Sequence, residues 1–224
     1  MQTGQVAIEF DDGLDNVFKN MGRVDAAYKE FDLALRLDPD NPSVTNNIGW
    51  CYQQKFAFDK AIEYYQKALK LDDNLPTAHA NMAICLRVKG ELDKATDELD
   101  IAIKQDDKLA FAYAELGAIK AIQGKLDDAI VQCKKSIELA PDETEGYTNL
   151  GVIFEMKGRY NEAIANYNKA LKIAPWNSRL HCNIANAYIK LGTNSMAREH
   201  LNEALKIDPN NKKATMMLNK LDSQ

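Results

Sequence analysis

The hydrophobic positions of this chain fall into columns that repeat every 34 residues with no insertion or deletion. The sharpest column is alanine: Ala27, Ala61, Ala95, Ala129, Ala163 and Ala197. Four residues later stand Phe31, Tyr65, Leu99, Cys133, Tyr167 and Leu201, and three further on the small residues Ala34, Ala68, Ala102, Ser136, Ala170 and Ala204. Thirteen residues before each alanine is an apolar residue (Leu14, Ile48, Met82, Leu116, Leu150, Ile184), followed by Asp15, Gly49, Ala83, Gly117, Gly151 and Ala185. Apolar spacings of three and four mark one buried helical stripe. The small columns let two helices approach closely while the large ones fill the space opposite. Five residues before the alanine, Gly22, Gly90, Gly124, Gly158 and Gly192 are expected to stop a helix in the left-handed conformation, with Phe56 as the exception. Pro39, Pro141, Pro175 and Pro209 are expected to end the second helix. Each period therefore predicts two antiparallel helices, A and B, joined by a glycine turn.

A period of this length signals stacked copies of one helix–turn–helix unit. The columns resemble the tetratricopeptide repeat family, whose signature is nearly complete in Tyr147, Leu150, Gly151, Phe154, Ala163, Tyr167, Ala170 and Pro175. The resemblance implies an all-α fold, a right-handed superhelical α-solenoid of six such units. Phasing from the prolines places the units at 8–41, 42–75, 76–109, 110–143, 144–177 and 178–211, or 204 of 224 residues, after a lead of residues 1–7. Residues 212–224 read as a capping helix, with Ala214, Met217, Leu218 and Leu221 at helical spacing and Lys212, Lys213 and Lys220 in water. The first unit departs from the pattern: Asp11 and Asp15 hold the aromatic and glycine positions, and Gly13 falls mid-helix. It reads as an atypical terminal unit, as a sign of upstream truncation, or as a loose segment that docks on a neighbouring molecule. Units 3 and 4 are expected to form a soft joint, because Lys120 and Cys133 replace large residues, Gln105 an apolar one, and Asp73 and Asp107 prolines.

A solenoid offers a long surface rather than a pocket, so the expected activity is holding another chain. In the family, helix A lines the concave face, through positions 2, 5, 6, 9, 12 and 13 counted from each unit's first residue. Position 6 gives Asn47, Asn81, Asn149 and Asn183, with Glu115 interrupting. An amide both donates and accepts, so such a ladder would pair with an extended backbone; asparagines that merely face water are the alternative. Around it lie Trp50, Ile84, Val88, Phe111, Ile122, Val152, Met156 and Ile189, with Arg87, Glu145, Glu155, Arg179 and Lys190 as the sparse charges. An exposed apolar stripe marks an interaction site, unless the curvature of the stack shields it. The expected partner-binding set is Asn47, Trp50, Asn81, Ile84, Arg87, Phe111, Asn149, Val152, Met156, Asn183, Asn186 and Lys190. The basic residues that heat-shock co-chaperones use to clamp a carboxylate tail do not occur in any three successive units, so that role is not expected.

Composition narrows the picture further. A hydrophobic share of 46% with 27% charge suits a soluble helical protein, and a net charge of −5 argues against nucleic acid as partner. No apolar run reaches membrane-spanning length, and residues 1–12 lack the build of a secretory signal. Cys51 and Cys85 share one position on successive A helices, Cys133 fills a core column, and Cys182 is expected on the concave side; no Cys-x-x-Cys spacing suggests zinc. His79 and His181 are expected to pack against a neighbouring helix and His200 to sit in solvent. No phosphate-cradling loop or hydrolase motif is present, so the expectation is a cytoplasmic, non-enzymatic chain without cofactor or metal. Its expected work is to bind a protein or peptide segment as a scaffold or adaptor. The alternatives are a self-assembling structural scaffold, as bacterial relatives including magnetosome-associated ones suggest, or a regulatory piece of a larger protein.

Overall fold

A computed structural model describes residues 14–223. Its elements are twelve helices, with no strand among the described residues: α1 (Leu14–Leu37), α2 (Pro42–Gln54), α3 (Phe58–Leu71), α4 (Pro76–Val88), α5 (Leu92–Gln105), α6 (Ala110–Ile122), α7 (Leu126–Leu139), α8 (Thr144–Met156), α9 (Tyr160–Ile173), α10 (Ser178–Lys190), α11 (Asn194–Ile207) and α12 (Lys212–Asp222). From α2 to α11 they form the five expected hairpins, each helix packed on its sequence neighbours.

The A-to-B turns follow the glycine reading closely. Gly90, Gly124, Gly158 and Gly192 have φ of 72–82°, and Phe56 takes the same left-handed conformation at 59° despite its Cβ. In each turn the next residue donates back five positions, as Glu91 N–H does to the Leu86 carbonyl (2.9 Å) and Ala57 N–H to that of Tyr52 (2.9 Å). Gly22 is the exception. The α1 backbone runs through it as one helix of 24 residues, so the turn expected there does not form. Asp15 stands in this helix where other units have glycine or alanine; Asp11, Gly13 and the lead 1–7 lie outside the described residues.

The prolines prove secondary to the B-helix stops. Helices α3 and α5 end at the same position as α7, α9 and α11, although Asp73 and Asp107 replace proline. At the stop, the side chains of Asp72, Asp106 and Asp208 each accept the backbone N–H two residues on, at 2.9–3.0 Å. That turn draws the chain away from the helix by its own hydrogen bond. Asn41, Asn177 and Asn211 cap the N-termini of α2, α10 and α12 through the same side-chain-to-backbone device.

Inside each hairpin the two signature columns compensate in size. Gly49 and Gly151 face the buried rings of Tyr65 and Tyr167, where a Cβ would stand 2.7 and 2.4 Å from the ring. Ala83 and Ala185 share their hairpins with Leu99 and Leu201 instead. Gly117 faces Cys133, and a Cβ there would lie 2.6 Å from the sulfur. The small side chain at 133 thus lies as close to its facing glycine as the Tyr65 ring does to Gly49.

Between hairpins runs a row of ion pairs. Lys55 reaches Asp25, Lys89 reaches Asp59 (2.5 Å) and Lys157 reaches Asp127 (2.8 Å), each from the end of an A helix to the preceding B helix. The row lapses at Gln123 and at Leu191, which replace the lysine, and Gln123 Oε1 is buried without a partner among the described residues. The core also divides near there. Leu116 and Ile119 belong to the cluster of α3–α5, whereas Ala121 and Cys133 belong to that of α8 and α9. Beyond the hairpins, α12 lays Ala214 and Leu221 into a third cluster with Ala197, Leu201 and Ala204.

Candidate functional site

The A helices present one register to the same face, and a side chain ties each to the next. Cys85 Sγ on α4 donates to Gln53 Oε1 on α2 (3.5 Å), which also accepts the Tyr65 hydroxyl (2.7 Å). Arg87 Nε donates to Glu115 Oε2 on α6 at 2.8 Å. Asn149 Nδ2 on α8 donates to the Ala114 carbonyl on α6 at 3.0 Å. Asn186 Nδ2 on α10 stands 3.4 and 3.5 Å from the two Glu155 oxygens, and Lys213 Nζ on α12 donates to Asn183 Oδ1 at 3.1 Å. Burial pushes the Glu155 carboxyl above the ordinary carboxylate range; Asn186, Lys213, Tyr167 and Lys190 oppose that rise.

These links revise the expected asparagine ladder. Asn149, Asn183 and Asn186 already bond to the neighbouring helix, and Asn47 Oδ1 lies 3.4 Å from Asn46 Nδ2. Asn81 alone of the position-6 column has no hydrogen bond among the described residues. Sequence reasoning missed this stitching because one acceptor is a backbone carbonyl, which leaves no mark on the sequence. Glu155 and Gln53 share position 12, the only signal that could have joined them.

The apolar residues sort into two groups. Trp50, Ile84, Phe111 and Ile189 are half-buried, Phe111 against the α3–α5 cluster and Ile189 against the C-terminal one. Val88, Ile122 and Met156 stand out, at 51%, 57% and 53% exposed, and Val152 is exposed beside Met156. The first three hold position 13, the last residue of α4, α6 and α8; Gln54 and the exposed Lys190 hold it on α2 and α10.

Two further expectations change. Cys182 is fully buried instead of facing the groove, because Asn211 at the head of α12 reaches Ser178 Oγ (3.1 Å) and closes over it. All four cysteines are buried and outside any disulfide, and desolvation pushes Cys51 up to about 11 and Cys85 and Cys133 to about 12, well away from thiolate chemistry. His200 is half-buried rather than in solvent: its Nδ1 lies 3.0 Å from His181 Nδ1, and its ring stacks on Tyr188. At the same positions of unit 3, His79 Nδ1 meets Glu98 Oε2 at 2.6 Å. Both position-4 histidines thus have polar partners inside their own hairpin. No helix of the described residues is long and apolar enough to cross a membrane, and no group of three His, Cys, Asp or Glu among them is placed to hold a metal.

Family comparisons agree with the repeat. Tetratricopeptide repeat models match residues 16–41 and 178–211, 43–75 and 133–165, and a TPR repeat model matches 156–192. The chain belongs to the tetratricopeptide repeat family. Its fold is the family's right-handed superhelical solenoid. Among solved structures, the MamA protein is 26% identical over 76% of this chain and 93% of its own, with a TM-score of 0.58. TTC0263, a thermophilic TPR protein of Thermus thermophilus, shares the fold at 16% identity and a TM-score of 0.73, over 82% of this chain and 100% of its own. YrrB, described as a TPR protein with an unusual peptide-binding site, shares it at 20% identity and a TM-score of 0.56, over 83% of this chain and 96% of its own. No curated protein sequence matches the chain.

Proposed function

We propose that this tetratricopeptide repeat protein is a non-catalytic adaptor that holds a segment of another polypeptide along the face formed by its A helices. The observation that carries the reading is the row Val88, Ile122 and Met156: three aliphatic side chains, each about half exposed, at one register of three successive units. Isolated exposed apolar residues are ordinary, but a periodic row of them on a face whose helices are tied by side chains supports a contact with another chain. The buried cysteines, none in a disulfide, suit a reducing compartment, and we place the adaptor in the cytoplasm.

A photo-crosslinking residue introduced at position 122 tests this against one at Val131, which is equally exposed but on helix B. The expected result is a defined adduct from 122 in the native lysate that disappears with Met156→Asp. Adducts of the same identity and yield from 131 would refute the choice of face. One observation favours a second reading, self-assembly through the C-terminal end: Met216 on α12 is 72% exposed. Sedimentation across a hundredfold concentration range should then show oligomers that Met216→Lys dissolves, and a monomer throughout would exclude it.

A further inference from the structure

We infer that the segment held on this face is extended, apolar at every third residue, and ends in a carboxylate side chain over α10. The inference rests on the adaptor reading and adds the chemistry of the partner. Read along the stack, position 13 runs Gln54, Val88, Ile122, Met156, Lys190: a polar end, three aliphatic steps, then a cation. Lys190 is exposed, and no hydrogen bond or ion pair engages its amine among the described residues. Lys213, the next cation at that end, is held by Asn183 rather than by an acid.

The Lys190 charge, like that of Lys213, is felt by the Glu155 carboxyl, but neither amine closes an ion pair with it among the described residues. Glu155 is half-buried, with both oxygens turned to the Asn186 amide. Glu145 lies in the first turn of α8, roughly 16 Å along the helix from Met156 at a rise of 1.5 Å per residue. The amino end of the row, by contrast, has its one cation–anion pair, Arg87 with Glu115, closed on itself at 2.8 Å. In a chain of net charge −5, a cationic end beside an aliphatic row selects an acidic end on the partner and disfavours a basic one.

Spacing sets the partner's conformation. Packed helix axes stand about 8–10 Å apart, and an extended chain rises about 3.3 Å per residue. One aliphatic side chain per step therefore recurs every third residue, with the carboxylate three residues beyond the last. A helix lying across the same steps would need one roughly every sixth or seventh residue, at 1.5 Å per residue.

The test is selection of random dodecapeptides displayed on phage, against the wild-type chain, Lys190→Glu and Ile122→Asp. Both substituted side chains are exposed, so folding is preserved, and the circular dichroism melt checks it. The wild type should enrich peptides with apolar residues three apart and Asp or Glu after them, at an excess over Lys or Arg on the order of threefold. Lys190→Glu should invert that excess, and Ile122→Asp should abolish enrichment. Enriched peptides without acidic bias, with bias unchanged in Lys190→Glu, or with apolar residues seven apart overturn this inference and leave the adaptor reading standing. Enrichment that survives Ile122→Asp, or no enrichment at all, overturns both.

Discussion

Replacing Gly151 with alanine puts a methyl group into a buried ring. The new Cβ would stand 2.4, 2.6 and 2.9 Å from Cε1, Cδ1 and Cζ of Tyr167, where ordinary contact begins at 3.4 Å. About 1 Å of separation must therefore open between α8 and α9, because Tyr167 is fully buried and its ring has no room to move aside. Overpacking of this kind costs about 1–3 kcal/mol, against a helix-propensity gain of about 1 kcal/mol for alanine over glycine. The single change should destabilise the chain by up to about 2 kcal/mol once both effects act.

The remedy is already present elsewhere in the molecule. Units 3 and 6 combine Ala83 with Leu99 and Ala185 with Leu201, all fully buried. Tyr167→Leu alone leaves a gap beside Gly151 and should cost about 2–4 kcal/mol. The Tyr167 hydroxyl lies near the Glu155 carboxyl but closes no hydrogen bond among the described residues, so the loss is one of packing. Together the two changes rebuild the pairing of units 3 and 6, and the double variant should be more stable than the sum of the singles by about 1–3 kcal/mol. Guanidinium unfolding of the four proteins, followed by far-UV circular dichroism, measures that coupling. Additive losses within about 0.5 kcal/mol would show that the two columns do not set helix separation jointly.

Phe56→Gly should raise stability by roughly 0.5–1 kcal/mol, since relief of the left-handed strain exceeds the extra chain entropy of glycine; a lower melting temperature would mean that Phe56 gains more from its edge contact with the Phe58 ring, 6.2 Å away, than its backbone loses. Burial holds His181 and His200 below the ordinary imidazole value near 6.5, with each other's proximity adding to it at His181 and with Glu199 and Glu203 opposing. Their folded values being lowered, the pair's contribution is complete above about pH 6.5 and is lost as pH falls from there through the folded values. His200→Glu copies the His79–Glu98 pairing of unit 3, so melts at pH 5 and 8 should show wild type losing more on acidification than the variant, and an equal or smaller loss in wild type would contradict this. Gln123→Lys should restore the missing rung opposite Asp93 and add about 0.2–1 kcal/mol in urea unfolding; the same gain in an Asp93→Asn background would place its cause elsewhere.

The sequence disclosed what depends on one unit and hid what depends on two. Helix boundaries, turn glycines and the small and large columns are legible because each recurs with the period, so every copy votes for the same geometry. Phe56 could be placed in a left-handed turn by its column even though its chemistry argues against it. The same logic misleads at Gly22, where the column persists but the backbone continues as one helix. Asp73 and Asp107 in place of proline read as a weakness, whereas the carboxylates of Asp72 and Asp106, turning back on their own backbone, end the helices at the usual position. Links such as Asn149 to the Ala114 carbonyl belong to contacts between units, where nothing in the column specifies the partner.

The middle of the chain is where packing and recognition meet. The core divides within unit 4, with Ile119 on one side and Ala121 on the other, and Ile122 is the next residue of that helix. Val88 lies at the end of α4, in the N-terminal part of the stack, and Met156 at the end of α8, in the part beyond the divide. A segment touching all three spans the division, so its affinity depends on the angle between the two parts as well as on its side chains. Stiffening that junction adds no contact with a partner, yet it changes how much conformational entropy binding must remove. Gln123, one residue beyond Ile122 and at a lapse of the ion-pair row, is therefore placed to tune recognition from outside the row that performs it.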